Sequence, residues 1–176
     1  MMKKAIGMLL AALLALSSCA ALADTEINLH DNNDKMDFYL TVPDGAEVVQ
    51  EPMEIGILGS IALKGHENLI IIMDLEPDDS FVGVSLKELT DEELVAATGL
   101  VTEDLGNAVT EIYELSSGLK LLTVLEDTKC EYVVVALMEG YVFALSAMHE
   151  DYSPLTDDEI LAVKAVTETL RFELVQ

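Results

Sequence analysis

The first half of the chain shows the two-residue alternation of apolar and polar side chains that is typical of β-strands. Every second residue of Met36–Val42 is apolar and the turn Pro43–Gly45 follows, so this run is predicted to be a strand in a first hairpin. Two longer apolar runs, Ile55–Leu63 and Leu69–Leu75, are separated by the polar segment Lys64–Asn68. They predict a second hairpin.

Two capping boxes predict where helices begin. Thr90 and Thr156 are each followed, three residues later, by a glutamate: Glu93 and Glu159. The threonine hydroxyl of such a box accepts a hydrogen bond from the glutamate amide, which stabilises the first helical turn. The first helix is expected to run from about Asp91 to Thr98. The second helix carries an apolar stripe made of Ile160, Val163, Val166 and Leu170.

The second half of the chain contains four strand-length apolar runs joined by short polar turns, which predicts an antiparallel β-meander. Both faces of these runs are mostly apolar, so the sheet needs cover on both sides, which the two helices can supply. The sequence therefore predicts an α+β fold, an antiparallel β-sheet of roughly five to seven strands covered by helices on both faces. The four runs are Ala108–Leu115, Leu119–Leu125, Cys130–Met138 and Tyr141–Met148.

The order of these elements resembles a known family. The opening segment Phe38–Gly45, the central helix, the meander with Gly140–Leu145 and a final amphipathic helix ending in Leu170–Phe172 are similar to the Mog1/PsbP-like α/β/α sandwich. The resemblance covers roughly Met36–Phe172. It implies an accessory or binding role more than catalysis, because the family includes photosystem accessory proteins, a nuclear-transport factor and bacterial envelope lipoproteins. It assigns no functional residue.

The N-terminal segment has the pattern of an export signal. Lys3 and Lys4 precede Ala5–Leu16, an uncharged apolar run of 12 residues that is too short to span a membrane comfortably. Residues 1–23 are therefore predicted to be a signal peptide, and residues 24–176 a single α+β domain. No later apolar run is long enough to predict a transmembrane helix in the mature chain. We expect a secreted or extracytoplasmic protein.

Two processing reactions compete at the end of this segment. Ala21 and Ala23 place small side chains before Asp24, as a signal-peptide cleavage site requires, whereas the residues before Cys19 fit the pattern of a lipid-anchored cysteine. Lipidation of Cys19, the alternative, predicts a membrane-anchored lipoprotein. Its tether would be short and apolar, and the acidic domain would be repelled by an anionic membrane surface. We therefore favour cleavage after Ala23.

The charge of the chain limits its partners. Lys3 and Lys4 are two of only nine basic residues, and all 33 acidic residues follow the signal, so the mature chain carries a formal net charge of about −26. Phosphate binding needs clustered lysine or arginine, which this sequence lacks, so nucleic acid is excluded as a partner. The expected partner is a protein or another envelope component, whose identity is unknown.

The sequence contains no recognisable catalytic, cofactor or metal motif. Cys130 shares no local motif with His30, His66 or His149, and it is predicted to be a free, largely buried thiol. The polar segment His30–Asp37 lacks the glycine and the terminal glutamate of an EF-hand loop, so no metal site is predicted there.

Two functions follow from these observations. The first is a non-catalytic, exported binding or accessory domain of the bacterial cell envelope. The alternative is a small secreted hydrolase whose site is built from carboxylates that are distant in sequence, which 33 acidic residues leave open. A deep cleft with inward-facing acids would favour the hydrolase.

The processing prediction can be tested on the natively exported protein. We expect intact mass spectrometry to show an N-terminus at Asp24, because Ala21 and Ala23 supply both small side chains that the protease requires. A diacylglyceryl-modified Cys19 at the N-terminus would contradict this expectation and would identify the protein as a lipoprotein.

Overall fold

The computed structural model describes residues 24–30, 36–50, 56–84, 89–97, 108–116, 118–138 and 140–174. Ten strands lie in this part of the chain: β1 (Thr25–His30), β2 (Met36–Val42), β3 (Glu47–Val49), β4 (Ile57–Ala62), β5 (Leu69–Pro77), β6 (Val109–Glu114), β7 (Lys120–Leu125), β8 (Glu131–Met138), β9 (Tyr141–His149) and β10 (Arg171–Leu174). The two helices are α1 (Asp91–Ala97) and α2 (Asp157–Thr167), and a 3₁₀ turn spans Asp79–Phe81. Among these residues, no helix has the length and hydrophobicity needed to cross a bilayer.

Seven strands form one antiparallel sheet in the order β3-β4-β5-β9-β8-β7-β6. The predicted hairpin is β4–β5, with Ala62 opposite Ile70, and the predicted meander is β6–β9. The link between the two halves is long-range, because β5 pairs along its whole length with β9, from Leu69 opposite His149 to Pro77 opposite Tyr141. The α+β fold class and the antiparallel sheet are confirmed.

A second sheet of three strands, β1-β2-β10, was not predicted. The strand predicted for a first hairpin forms as β2 and pairs antiparallel with the preceding β1, whereas the Pro43–Gly45 turn leads the chain to the large sheet, where β3 pairs with β4. Both edges of β2 are instead paired, with β1 and with β10. Each edge of a buried strand must find partners for its amides and carbonyls, and the two outer strands supply them.

The predicted end of the last helix is also wrong. α2 ends at Thr167, and the residues expected to complete it, up to Phe172, lead into strand β10, where Phe172 lies opposite Phe38. The Thr169 hydroxyl donates to the Val166 carbonyl at 2.7 Å and accepts a hydrogen bond from the Thr41 amide at 2.8 Å. The contact with β2 thus fixes the point at which the chain changes from helix to strand.

The main core lies between one face of the large sheet and a cover made of the small sheet and α2. Phe38 of β2 stacks on Phe143 of β9, with ring centroids 5.4 Å apart. The apolar stripe predicted for α2 is buried in the same core, together with Leu155 just before the helix. Both sheets and α2 therefore share one apolar interior.

The opposite face of the large sheet has a separate cover. Phe81 of the 3₁₀ turn and Leu94 of α1 pack against a smaller apolar cluster made of Leu122, Val124, Val133, Val135 and Leu137. The strand β8 is consequently buried on both faces from Tyr132 to Leu137. Cover on both faces agrees with the expectation from the apolar pattern.

The contribution of the small sheet to the core can be measured by one pair of equivalent substitutions. Leu40→Ala removes a fully buried side chain of β2, and we expect it to lower the free energy of unfolding by about 2–5 kcal/mol. Leu161→Ala on α2 is the control, because that side chain is 62% exposed, and its effect should stay within about 0.5 kcal/mol. Urea denaturation provides the measurement. Equal effects of the two substitutions would show that the small sheet does not share the core.

Candidate functional site

The most connected group of titratable side chains lies where β9 passes into α2. His149, the last residue of β9, contacts Glu159 of α2 through its Nε2 atom, 2.9 Å from Glu159 Oε1. Its Nδ1 atom lies 2.7 Å from Ser153 Oγ and 3.1 Å from the Ser153 carbonyl oxygen. His149 and Glu159 are both buried. The segment 150–156 between them is called the β9–α2 connection below.

The two carboxylate oxygens of Glu159 have different partners. Its Oε2 atom accepts hydrogen bonds from the Thr156 amide and the Thr156 hydroxyl, both at 2.7 Å, which completes the predicted capping box. Its Oε1 atom contacts His149 Nε2. Burial by itself raises the pKa of Glu159, but the hydrogen bonds from Thr156 and His149, together with the charge of His149, outweigh burial and lower the pKa to about 2.

Both ring nitrogens of His149 face oxygen atoms: the Glu159 carboxylate on one side, and the carbonyl and hydroxyl of Ser153 on the other. The carboxylate and the carbonyl only accept hydrogen bonds, whereas the Ser153 hydroxyl can either donate to Nδ1 or accept from it. The imidazole ring is therefore held on both sides, between the end of β9 and the first turn of α2.

The arrangement of serine, histidine and carboxylate also has the composition of a hydrolase triad. Such a triad needs backbone amides that can stabilise the oxyanion near the nucleophile. The amide of Ser153 donates to Asp151 Oδ1 at 3.0 Å, and the next residue is Pro154, which has no amide hydrogen. The amides of Leu155 and Thr156 donate to the Lys129 carbonyl and to Glu159. The residues nearest to Ser153 thus offer no free donor.

Sequence analysis found only part of this group. The capping box identified Glu159, whereas His149 belonged to no motif in the sequence. The positions 149, 153 and 159 match no sequence motif. The contacts of His149 with Ser153 and Glu159 depend on the conformation of the β9–α2 connection. The one local indication of a turn is Asp151, whose carboxylate accepts a hydrogen bond from the Ser153 amide two residues later.

Other predicted residues stand apart from this group. His66 lies in the turn between β4 and β5, within the predicted polar segment Lys64–Asn68. Cys19, Ala21 and Ala23 lie outside the described residues, as do residues 31–35 of the acidic segment, and Asp24 is exposed directly before β1. Among the described residues, no group of three or more His, Cys, Asp or Glu side chains is arranged to hold a metal ion.

Cys130 is free but not largely buried, so that prediction is wrong. It is half-buried, because it belongs to the turn before β8 and not to the strand itself. Its Sγ atom lies 3.7 Å from the Thr128 carbonyl oxygen. A thiol in this position is reachable from solvent.

A shallow groove of about 320 Å³ lies beside the connection. The turns before β3 and before β5 form its walls, together with Glu150, and buried Leu63 and Leu69 form part of its lining. Its charged lining combines Lys64 with three acidic residues: Glu47, Glu67 and Glu150. The groove is shallow and open, whereas the hydrolase alternative requires a deep cleft.

Comparison with known proteins gives matches among solved structures only. No protein-family model and no curated protein matches the sequence. Among solved structures, the chain is similar to cyanobacterial PsbP from Synechocystis sp. PCC 6803, with 11% identity and a TM-score of 0.47, over 89% of this chain and 96% of that chain. This likeness concerns the fold alone.

The accessibility of Cys130 is testable with a thiol reagent such as DTNB. We expect the native chain from Asp24 onwards to react at neutral pH without unfolding, more slowly than in denaturant, because the thiol is half-buried. Cys130→Ser is the control and should show no reaction. A reaction that occurs only after unfolding would contradict the described position of the thiol.

Proposed function

We propose that this chain is a non-catalytic binding or accessory domain, exported to the bacterial cell envelope, whose partner is a protein or another envelope component. The proposal rests on one observation: the backbone amides around Ser153 already donate hydrogen bonds to other groups. Within the described β9–α2 connection, no backbone amide next to Ser153 is free to form an oxyanion site, because the Ser153 amide is bound to Asp151 and Pro154 has no amide hydrogen. The group therefore serves to hold the connection in place.

The proposal of export rests on the signal pattern of residues 1–23. Cleavage after Ala23 is compatible with the fold, because it would leave every described strand intact, including β1, in which Thr25 pairs with Val42. An anchor at Cys19 would place the first strand only six residues from the membrane surface. The short distance and the net charge of about −26 together favour release.

Binding is supported by the surface. The acidic charge creates an extended negative field that favours a basic partner and opposes nucleic acid. Tyr152 adds an exposed aromatic side chain, 70% accessible, on the connection itself. Tyrosine is enriched in protein interfaces because its ring buries a large area while the hydroxyl stays hydrogen-bonded. We place the binding face around Tyr152.

The non-catalytic assignment can be tested with a fluorophosphonate probe, which labels activated serines. We expect no labelling of the native protein, since Ser153 lacks oxyanion donors, and the same result for Ser153→Ala. A known serine hydrolase added to the same sample is the positive control. Labelling that is present in the native protein and lost in Ser153→Ala would contradict the proposal and would assign Ser153 as a nucleophile.

A further inference from the structure

His149, Ser153, Thr156 and Glu159 together form what is called the latch below. It joins the end of β9 to the first turn of α2 through hydrogen bonds that all meet at one carboxylate and one imidazole. We propose that the latch is an acid-sensitive switch: protonation of Glu159 releases the β9–α2 connection and the first turn of α2.

The ionised form of Glu159 is essential to the closed latch. Its two oxygens accept three hydrogen bonds, two from Thr156 and one from His149. A protonated carboxyl carries a hydrogen on one oxygen, so it turns one of these acceptors into a donor. The contact between Glu159 Oε1 and His149 Nε2 joins two buried side chains. Its loss would leave a buried polar group without its partner, which favours opening.

Other titratable groups lie around the latch. Asp151, in the connection itself, interacts electrostatically with His149, and its carboxylate accepts a hydrogen bond from the Ser153 amide. β5 places the apolar Leu69 opposite His149. Further charged residues lie on the surrounding turns and on α2: His66, Glu67, Lys129, Glu150 and Asp157.

The connection holds backbone strain that opening would relieve. Tyr152 has a φ of +55°, in the left-handed region that side chains with a Cβ atom rarely adopt. Its amide donates to the His149 carbonyl at 3.0 Å, so the strained turn is anchored directly on the latch. Strain of this kind persists only while the surrounding contacts enforce it. Release of the latch therefore also allows Tyr152 to relax.

The direction of the pH effect follows from Glu159. Its pKa is about 2 in the folded protein, compared with an ordinary value of 4.5, so the folded state favours the ionised form. The stability that this provides is complete above pH 4.5 and is lost as the pH falls from 4.5 towards 2. Over that interval the equilibrium between closed and open latch should shift by roughly a hundredfold.

The chain contains its own control. Thr90 and Glu93 form the same capping box at the start of α1, with the same three hydrogen bonds, at 2.8, 2.8 and 3.3 Å. Glu93 is exposed, and no histidine is bonded to it in the described structure. A difference in pH dependence between the two boxes is therefore due to the buried contact with His149 and not to helix capping itself.

Amide hydrogen exchange of the chain from Asp24 onwards, between pH 5 and pH 2.5, tests the switch. The reporters are the amides of Leu155, bound to the Lys129 carbonyl, and of Ile160, bound to the Thr156 carbonyl. After correction for the intrinsic rates, their protection should fall by roughly a hundredfold as the pH falls. The amide of Leu94, which holds the equivalent position in the control box, should change far less.

Substitutions separate the latch from general acid unfolding. Glu159→Gln should open the connection at pH 5 and remove most of the pH dependence of the two reporters, whereas Glu93→Gln should leave it unchanged. Tyr152→Gly relieves the strain without touching the latch, so it should move opening to lower pH. Two outcomes would overturn the proposal. One is that the protection of Leu155 and Ile160 in the unsubstituted protein does not change as the pH falls. The other is that it falls by the same factor in Glu159→Gln. If Glu159→Gln fails to fold, the unsubstituted protein and Tyr152→Gly still decide the matter.

Discussion

The whole arrangement depends on a central sheet that cannot face water on either side. The strand β8 is buried without interruption from Tyr132 to Leu137, and β7 is buried from Leu121 to Val124. Each apolar side chain exposed on such a strand would cost about 1.5–3 kcal/mol, so both faces require a cover. α1 and the 3₁₀ turn cover one face, and on the other α2 is joined by a complete second sheet. The small sheet is thus a consequence of the large one, and Phe38 stacked on Phe143 marks their contact.

The sequence predicted those elements whose signals are local. β2, the β4–β5 hairpin, the meander and both capping boxes follow from alternation, turn residues and the Thr-x-x-Glu spacing. β3 and β10 were missed because they have three and four residues, too few to establish a period. The apolar stripe also gave a wrong prediction near β10. Leu170 is buried in the same core as the residues of α2 and fits their helical spacing, although it lies beyond the end of the helix. Pairing with β2, a long-range interaction, decides the conformation there.

The candidate site shows the same division between local and tertiary information. Thr90–Glu93 and Thr156–Glu159 are the same local signal, and both form the predicted box. Only the second is buried beside a histidine, because β9 ends directly over the first turn of α2. A pattern can therefore identify a glutamate as a helix cap, but the surroundings that lower its pKa to about 2 arise from the packing of a strand 10 residues away in sequence. The role of His149 was for this reason not predictable.

The order of strands in the small sheet has a consequence for how the protein is made. β2 lies between the first strand of the described chain and the last, and Arg171 of β10 reaches Glu26 of β1, 145 residues away in sequence, at 3.0 Å. Neither this ion pair nor the second edge of β2 can be completed until β10 has been synthesised. Contacts of such sequence separation form late and slowly. A chain that emerges progressively from a ribosome or a membrane pore would thus keep one side of its core open until β10 arrives, and that interval is when a chaperone would be needed most.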